Sequence, residues 1–223
     1  AIKYADLLFN SLFLSIFAAI LTIILGVFLV NTYITSNNLI IRLSVTISRL
    51  GYALPGVVIA LGVIVPLITL DGLIKNALGQ YFNITVGLIF SGTMIAIVYA
   101  YVIRFLTISY GTIESGFATL NPDIAAASRV LGQSKYSTLI KIQLPIIKPA
   151  LIMSALLVFV DSMKELPATL ILRPFNFDTL ATYVYTYASL SQIEEAALPA
   201  LTIVATGLLP IILINRELVK NEN

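Results

Sequence analysis

The sequence predicts an all-α, polytopic transmembrane helical bundle of about five spans with a loop on its cytoplasmic side. Three observations carry this. Hydrophobic residues make up 59% of the 223 positions and charged residues only 11%, less than half the roughly 25% charged share of a soluble domain. The mean hydropathy is +0.99. The apolar residues fall into runs about as long as the roughly 20 residues a helix needs to cross a bilayer.

The runs are Leu7 to Val30, Leu50 to Leu70, Asn83 to Ile103 and Ala196 to Asn215. A shorter one, Pro149 to Val160, continues through Asp161, Lys164 and Glu165 into Leu166 to Leu172, and is read as one helix with charges near its far end. The first three runs are free of charges, and the second holds Pro55, Gly56, Gly62 and Pro66, which kink a helix or let a neighbour approach. Five spans put the termini on opposite sides. With the 121–145 segment in the cytoplasm, Arg42, Arg49, Arg104, Arg129, Lys135, Lys141, Lys148, Arg216 and Lys220 lie inside, against Lys3, Lys75, Lys164 and Arg173 outside. This excess places the N-terminus outside and the C-terminus in the cytoplasm. The chain begins at Ala1 without a basic leader or a small-residue cleavage site, so it is expected to be a fragment or a processed piece.

Composition also excludes functions. There is no Cys and no His, so disulfides, thiolate sites and a Ser-His-Asp triad are ruled out, and the commonest metal ligand is missing. No catalytic and no metal-binding residues are assigned. A net charge of +2 gives no reason to expect nucleic acid as a partner. The bilayer is the first partner.

The longest polar stretch is NPDIAAASRVLGQSKYSTLIKIQLP, residues 121–145. Asn121 suits a helix N-cap, Pro122 the first helical position, and Asp123 the positive helix end. Gly132 is a natural stop, because glycine takes positive φ at little cost. Ser134 can cap a second short helix, which Pro145 closes. The product is helix, glycine bend, helix, with Arg129, Lys135 and Lys141 exposed. Physics alone leaves two readings: a docking element for a soluble partner, or an amphipathic pair lying on anionic lipid.

The same stretch resembles the EAA loop of binding-protein-dependent ABC importer permeases: E-A-A, three residues, G, nine residues, I-x-L-P. Ala127 and Ser128 take the two Ala places, Gly132 the Gly place, and Ile142, Leu144 and Pro145 complete the motif, while Ala126 stands where the pattern has Glu. The resemblance implies that these residues and Arg129 form a coupling loop that sits in a groove of a separate ATPase subunit, where ATP and Mg would bind; this chain would hold no cofactor and hydrolyse nothing. It further implies an external (periplasmic) substrate-binding protein, a second permease half and a place in the bacterial inner membrane. A second resemblance, to the C-terminal half of ferric-iron-type permeases, rests on ELPATL, LRPF, DTLA and AALPAL and covers nearly all residues from Leu120 onward. It implies that residues 1–223 are one permease domain, half of a fused or paired permease, with ferric iron the favoured cargo over thiamine, phosphonate or polyamine. The competing class is a self-sufficient channel or secondary transporter.

Asp161, Lys164 and Glu165 share one broad helical face by spacing. Ionisable residues at membrane depth face a cavity or pair up, so these three are the candidate lining of the outer translocation path; an interfacial Asp161–Lys164 pair that ends the helix at Pro167 is the alternative. Tyr183, Tyr185 and Tyr187 read as interfacial aromatics.

Overall fold

The computed structural model describes residues 4–82, 84, 87–121 and 123–221, without the side chains of 209–211 and 213–221. Lys3, Asn83, Pro122 and the side chains of Arg216 and Lys220 lie outside the described residues. The described residues are helices joined by short turns, with no strand among them.

Helix α1 (Tyr4–Thr35) carries the first apolar run and α2 (Leu39–Ser48) turns back along it, capped by Asn38, whose side chain accepts the Ile40 N–H. A 3-10 turn, Gly51–Ala53, leads into α3 (Gly56–Phe82). Helix α4 (Met94–Ala118) follows, capped by Thr93. The polar stretch folds as α5 (Asp123–Val130), α6 (Lys135–Thr138), a π-helical stretch Leu139–Gln143 and α7 (Leu144–Ile146). Beyond it come α8 (Lys148–Met163), α9 (Pro167–Leu172), α10 (Leu180–Ser189) and α11 (Ile193–Asn221).

Helices α1, α3 and α4 are each long and apolar enough to cross a membrane, and the pair Lys135–Ile146 and Lys148–Met163, bent by 74°, passes the same test as one broken span. Helix α11 carries the run from Ala196 to Asn215. Large apolar side chains around the bundle are exposed, among them Phe9, Phe28, Val65 and Leu201. In water such a surface would aggregate; in a bilayer it faces lipid.

Three expected spans differ from the observed helices. The second begins at Gly56, because residues 49–55 form a cap and a 3-10 turn and not an α-helix ahead of Pro55. The third begins at Met94: Gly92 takes φ of 67° and Thr93 caps the new helix. The fourth breaks, with α8 ending at Met163 and α9 starting at Pro167, since proline lacks the N–H that would continue the ladder. The spans are therefore not free of charges. Asp71 lies in α3, and Arg104 and Glu114 lie in α4, where Arg104 belongs to no loop. Asp71 is buried and satisfied across the turn between α3 and α4: its carboxylate accepts the backbone N–H groups of Ile89, Phe90 and Ser91 at 3.1, 3.0 and 2.8 Å. It pins the turn that precedes α4.

Polar small residues bind the centre. Ser154 Oγ on α8 donates to Ser109 Oγ on α4, which donates to the Thr22 carbonyl on α1, each at 2.9 Å. Gly26 lies against Ser109 and Ile113, and Gly116 against Ala150 and Ile147. Small residues let membrane helices approach closely enough for dispersion and interhelical hydrogen bonds to act. These contacts set α1 parallel to α4 and α8 antiparallel to both. The 119–147 loop therefore lies at the end of the bundle where α1 finishes. Asn10 and Ser11, near the start of α1, bond to the Asp178 carbonyl and the Leu180 N–H, which places the α9–α10 turn at the other end.

Candidate functional site

Two places in this frame are candidate sites: the 121–147 loop and a cluster of charges inside the bundle.

The loop is built by local chemistry. Asn121 Oδ1 accepts the Asp123 N–H at 2.9 Å and starts α5. At its end Gln133 N–H donates to the Ser128 carbonyl and Gly132 N–H to that of Arg129, with Gly132 at φ of 81°; this is the glycine stop the sequence predicts. Ser134 Oγ then accepts the Ser137 N–H at 3.1 Å and caps α6. Ser128 and Thr138 are buried and their hydroxyls bond at 2.8 Å, fastening α5 to α6. Ser128 is thus an internal clamp, not an accessible position.

Ala126 and Ala127 lie exposed on α5, and the Arg129 side chain folds back to donate to the Ala125 carbonyl at 3.1 Å. Ile142 and Leu144 are half-buried. Pro145 does not close the second helix: it sits at the start of α7, and the chain bends at Ile147 into α8. Leu139 and Ile147 pack with Val30, Tyr110 and Phe117 of the bundle. The base of the loop is therefore packed against the bundle and continues α4 and α8.

At its tip, Val130, Leu131 and Tyr136 are 87%, 80% and 74% exposed. They were not singled out in the sequence, although apolar residues beside a glycine stop in a polar stretch are a usable signal for a contact surface.

The second place lies where two helix breaks meet. Arg104 sits on α4 between the 49–55 elbow and the α8–α9 break. Its Nε is 3.1 Å from Glu165 Oε2, an ion pair by distance that is not aligned as a hydrogen bond. Its Nη1 donates to the Leu54 carbonyl at 3.0 Å. Glu165 is buried; its Oε1 accepts the Ala168 N–H at 3.3 Å and lies beside Gly56 at the start of α3. The positive end of that helix and the guanidinium together support the carboxylate. Asp161 pairs with Lys164 at 2.8 Å and accepts the Tyr52 O–H at 3.2 Å.

The structure thus gathers Asp161, Lys164 and Glu165, but not on one face. Glu165 turns inward to Arg104, and Lys164 turns outward. Arg104 was missed as their partner because it is about 60 positions away in sequence. Tyr183 and Tyr187 stack with ring centroids 4.2 Å apart. Among the described residues, no group of three or more acidic side chains could hold a metal ion.

Residues 23–220 match the model of the family described as "Binding-protein-dependent transport system inner membrane component". This chain belongs to that family. Its relatives include the ferric transport system permease protein FbpB of Actinobacillus pleuropneumoniae, 31% identical over 195 residues, covering 84% of this chain and 27% of that protein. A putative ferric transport system permease protein, FbpB 1, of Haemophilus influenzae is 30% identical over 193 residues, covering 84% and 29%. A putative 2-aminoethylphosphonate transport system permease protein, PhnV, of Salmonella typhimurium is 25% identical over 119 residues, covering 53% and 45%. The chain thus spans less than a third of the length of those two ferric relatives. Among solved structures, a bacterial alginate ABC transporter in complex with an alginate pentasaccharide-bound periplasmic protein superposes with a TM-score of 0.76 at 15% identity, covering 97% of this chain and 78% of that one. An amino acid ABC transporter superposes at 0.57 and 20% identity, covering 95% and 92%. The chain shares its fold with the matched chains of these transporters.

Proposed function

We propose that this permease domain forms one half of the membrane pathway of an ATP-driven importer, taking its cargo from an external binding protein and moving it inward when a separate ATPase, with its ATP and Mg, closes. One observation carries the reading most directly. The 121–147 loop presents exposed Val130, Leu131 and Tyr136 around the Gly132 bend, and it is continuous with α8 through a bend at the buried Ile147. A partner pushing on that tip moves α8 and the packed end of α4 as one body. On this reading the loop end faces the cytoplasm, so the N-terminus of the chain lies outside and its C-terminus inside. The second half of the pathway is supplied by another permease domain, fused or separate.

Ferric iron is the favoured cargo, because the ferric relatives match the chain over 84% of its length and the phosphonate relative over 53%. The functional test is uptake into membrane vesicles that hold the complete assembly with its binding protein. Uptake of iron that requires ATP inside supports the reading. Uptake that continues unchanged without ATP, driven by an ion gradient, would favour a secondary transporter instead.

A further inference from the structure

Four ionisable side chains meet at membrane depth. Arg104 lies ten residues into α4, about 15 Å along a helix of roughly 37 Å. Lys164 follows the 16 residues of α8, about 24 Å from the loop end. Arg104 at mid-helix does not suit contact with lipid, and Lys164 is joined to it through Asp161 and Tyr52, so the exposed part of this cluster is placed on a water-filled cavity or the second half of the pathway.

The two pairs are oriented alike. The side chain of Arg104 is 20% exposed and that of Glu165 6%; the side chain of Lys164 is 62% exposed and that of Asp161 20%. In each pair the cation is the outer member. Both carboxylates are occupied: Glu165 by Arg104 and the Ala168 N–H, Asp161 by Lys164 and the Tyr52 hydroxyl. What a passing solute meets first is the Lys164 ammonium, with Arg104 and Asp161, each 20% exposed, behind it. The most exposed charge beside a narrow path lowers the barrier for ions of the opposite sign and raises it for its own.

We infer that the cargo passes this point as an anion, bearing carboxylate, phosphate or phosphonate oxygens, and not as a bare metal cation. This rests on the permease reading above. Ferric iron would then travel inside an anionic chelate; a phosphonate would travel as itself. Lys164 is the specificity-determining residue, since its ammonium is the most exposed charge in the cluster. Glu165 is a positioning residue that holds Arg104, not a carboxylate that attracts the cargo.

The test is a charge series at position 164 in the complete assembly with its binding protein, in ATP-loaded vesicles corrected for protein level. Two probes separate the two sources of anionic oxygen: iron-55 presented as its carbon-14 citrate complex, and carbon-14 2-aminoethylphosphonate without iron. Lys164→Arg should keep the wild-type rate. Lys164→Gln should slow uptake about fivefold, the worth of one close charge contact in a watery site, and Lys164→Glu about twenty-fivefold. Entry of both labels of the citrate complex identifies the chelate, and entry of the phosphonate the free oxyanion. Iron entering without its citrate, or a Lys164→Glu rate equal to or above wild type, overturns the inference and leaves the permease reading intact. Wild-type vesicles that take up neither probe with ATP overturn both.

Discussion

Gly51 offers the sharpest test of how the α2–α3 elbow is held. A Cβ built there falls 1.9 Å from the Ile103 carbonyl oxygen on α4. Ordinary carbon–oxygen approach is about 3.3 Å, so Gly51→Ala requires the elbow to retreat by about 1.4 Å from a backbone atom that cannot rotate away. Three hydrogen bonds strap the elbow at this point: Thr107 Oγ1 to the Arg49 carbonyl at 2.7 Å, the Tyr52 N–H to Thr107 Oγ1 at 3.2 Å, and Arg104 Nη1 to the Leu54 carbonyl at 3.0 Å. A shift of that size stretches all three beyond useful length. At about 1 kcal/mol net for each, the variant should lose about 2–4 kcal/mol. Gly62→Ala is the control: nothing lies within 4 Å of its Cβ, and alanine is the better helix former by up to about 1 kcal/mol. Reversible unfolding in mixed micelles, followed by helical signal, reads both. Gly51→Ala within about 0.5 kcal/mol of wild type would refute the close packing described for the elbow.

Arg104→Leu should cost about 3–5 kcal/mol, because it strands the buried Glu165 carboxylate; in the same unfolding assay the double variant Arg104→Leu/Glu165→Leu should recover most of that loss. Gly132→Val should leave the protein in the membrane but lower ATP-driven uptake at least severalfold, since a β-branched residue at positive φ costs about 1–3 kcal/mol; uptake at wild-type rate with the ATPase still bound would count against the bend. Single cysteines at Arg129 and Gln133 should be labelled by an impermeant maleimide from the cytoplasmic side, and one at Lys75 from outside, with no background from this cysteine-free chain. Labelling of position 75 from the cytoplasm would invert the topology.

The parts of this protein legible in its sequence are those decided by local chemistry. Asn121, Gly132 and Ser134 place the loop's caps and bend because each acts on backbone groups within a few residues. The apolar run of α1 is unambiguous for the same reason. The frame of α3 and α4 was not legible, because hydropathy penalises Asp71 and Arg104 equally wherever their partners are. Asp71 is satisfied by N–H groups about 20 residues on, and Arg104 by a carboxylate and a carbonyl on other elements. Tertiary pairing lets α4 run on to Ala118, past a charge that a window of 20 residues reads as a boundary. The break at Pro167 was visible as a proline. That it directs Glu165 inward and Lys164 outward depends on the α3 terminus beside Gly56, which no local pattern reports.

On the proposed function, a separate ATPase drives this domain through its loop. The most direct measurement is recovery of the ATPase subunit with the affinity-tagged complete permease, wild type against Leu131→Asp. Leu131 is 80% exposed at the tip, so the change does not disturb the fold, and a charge in an apolar contact costs several-fold or more in affinity. Membrane levels of the two proteins are compared in the same samples. The predicted result is an ATPase that co-purifies with the wild type and is lost from Leu131→Asp at equal permease level. Equal recovery with both, or recovery with neither, would contradict a drive through this tip.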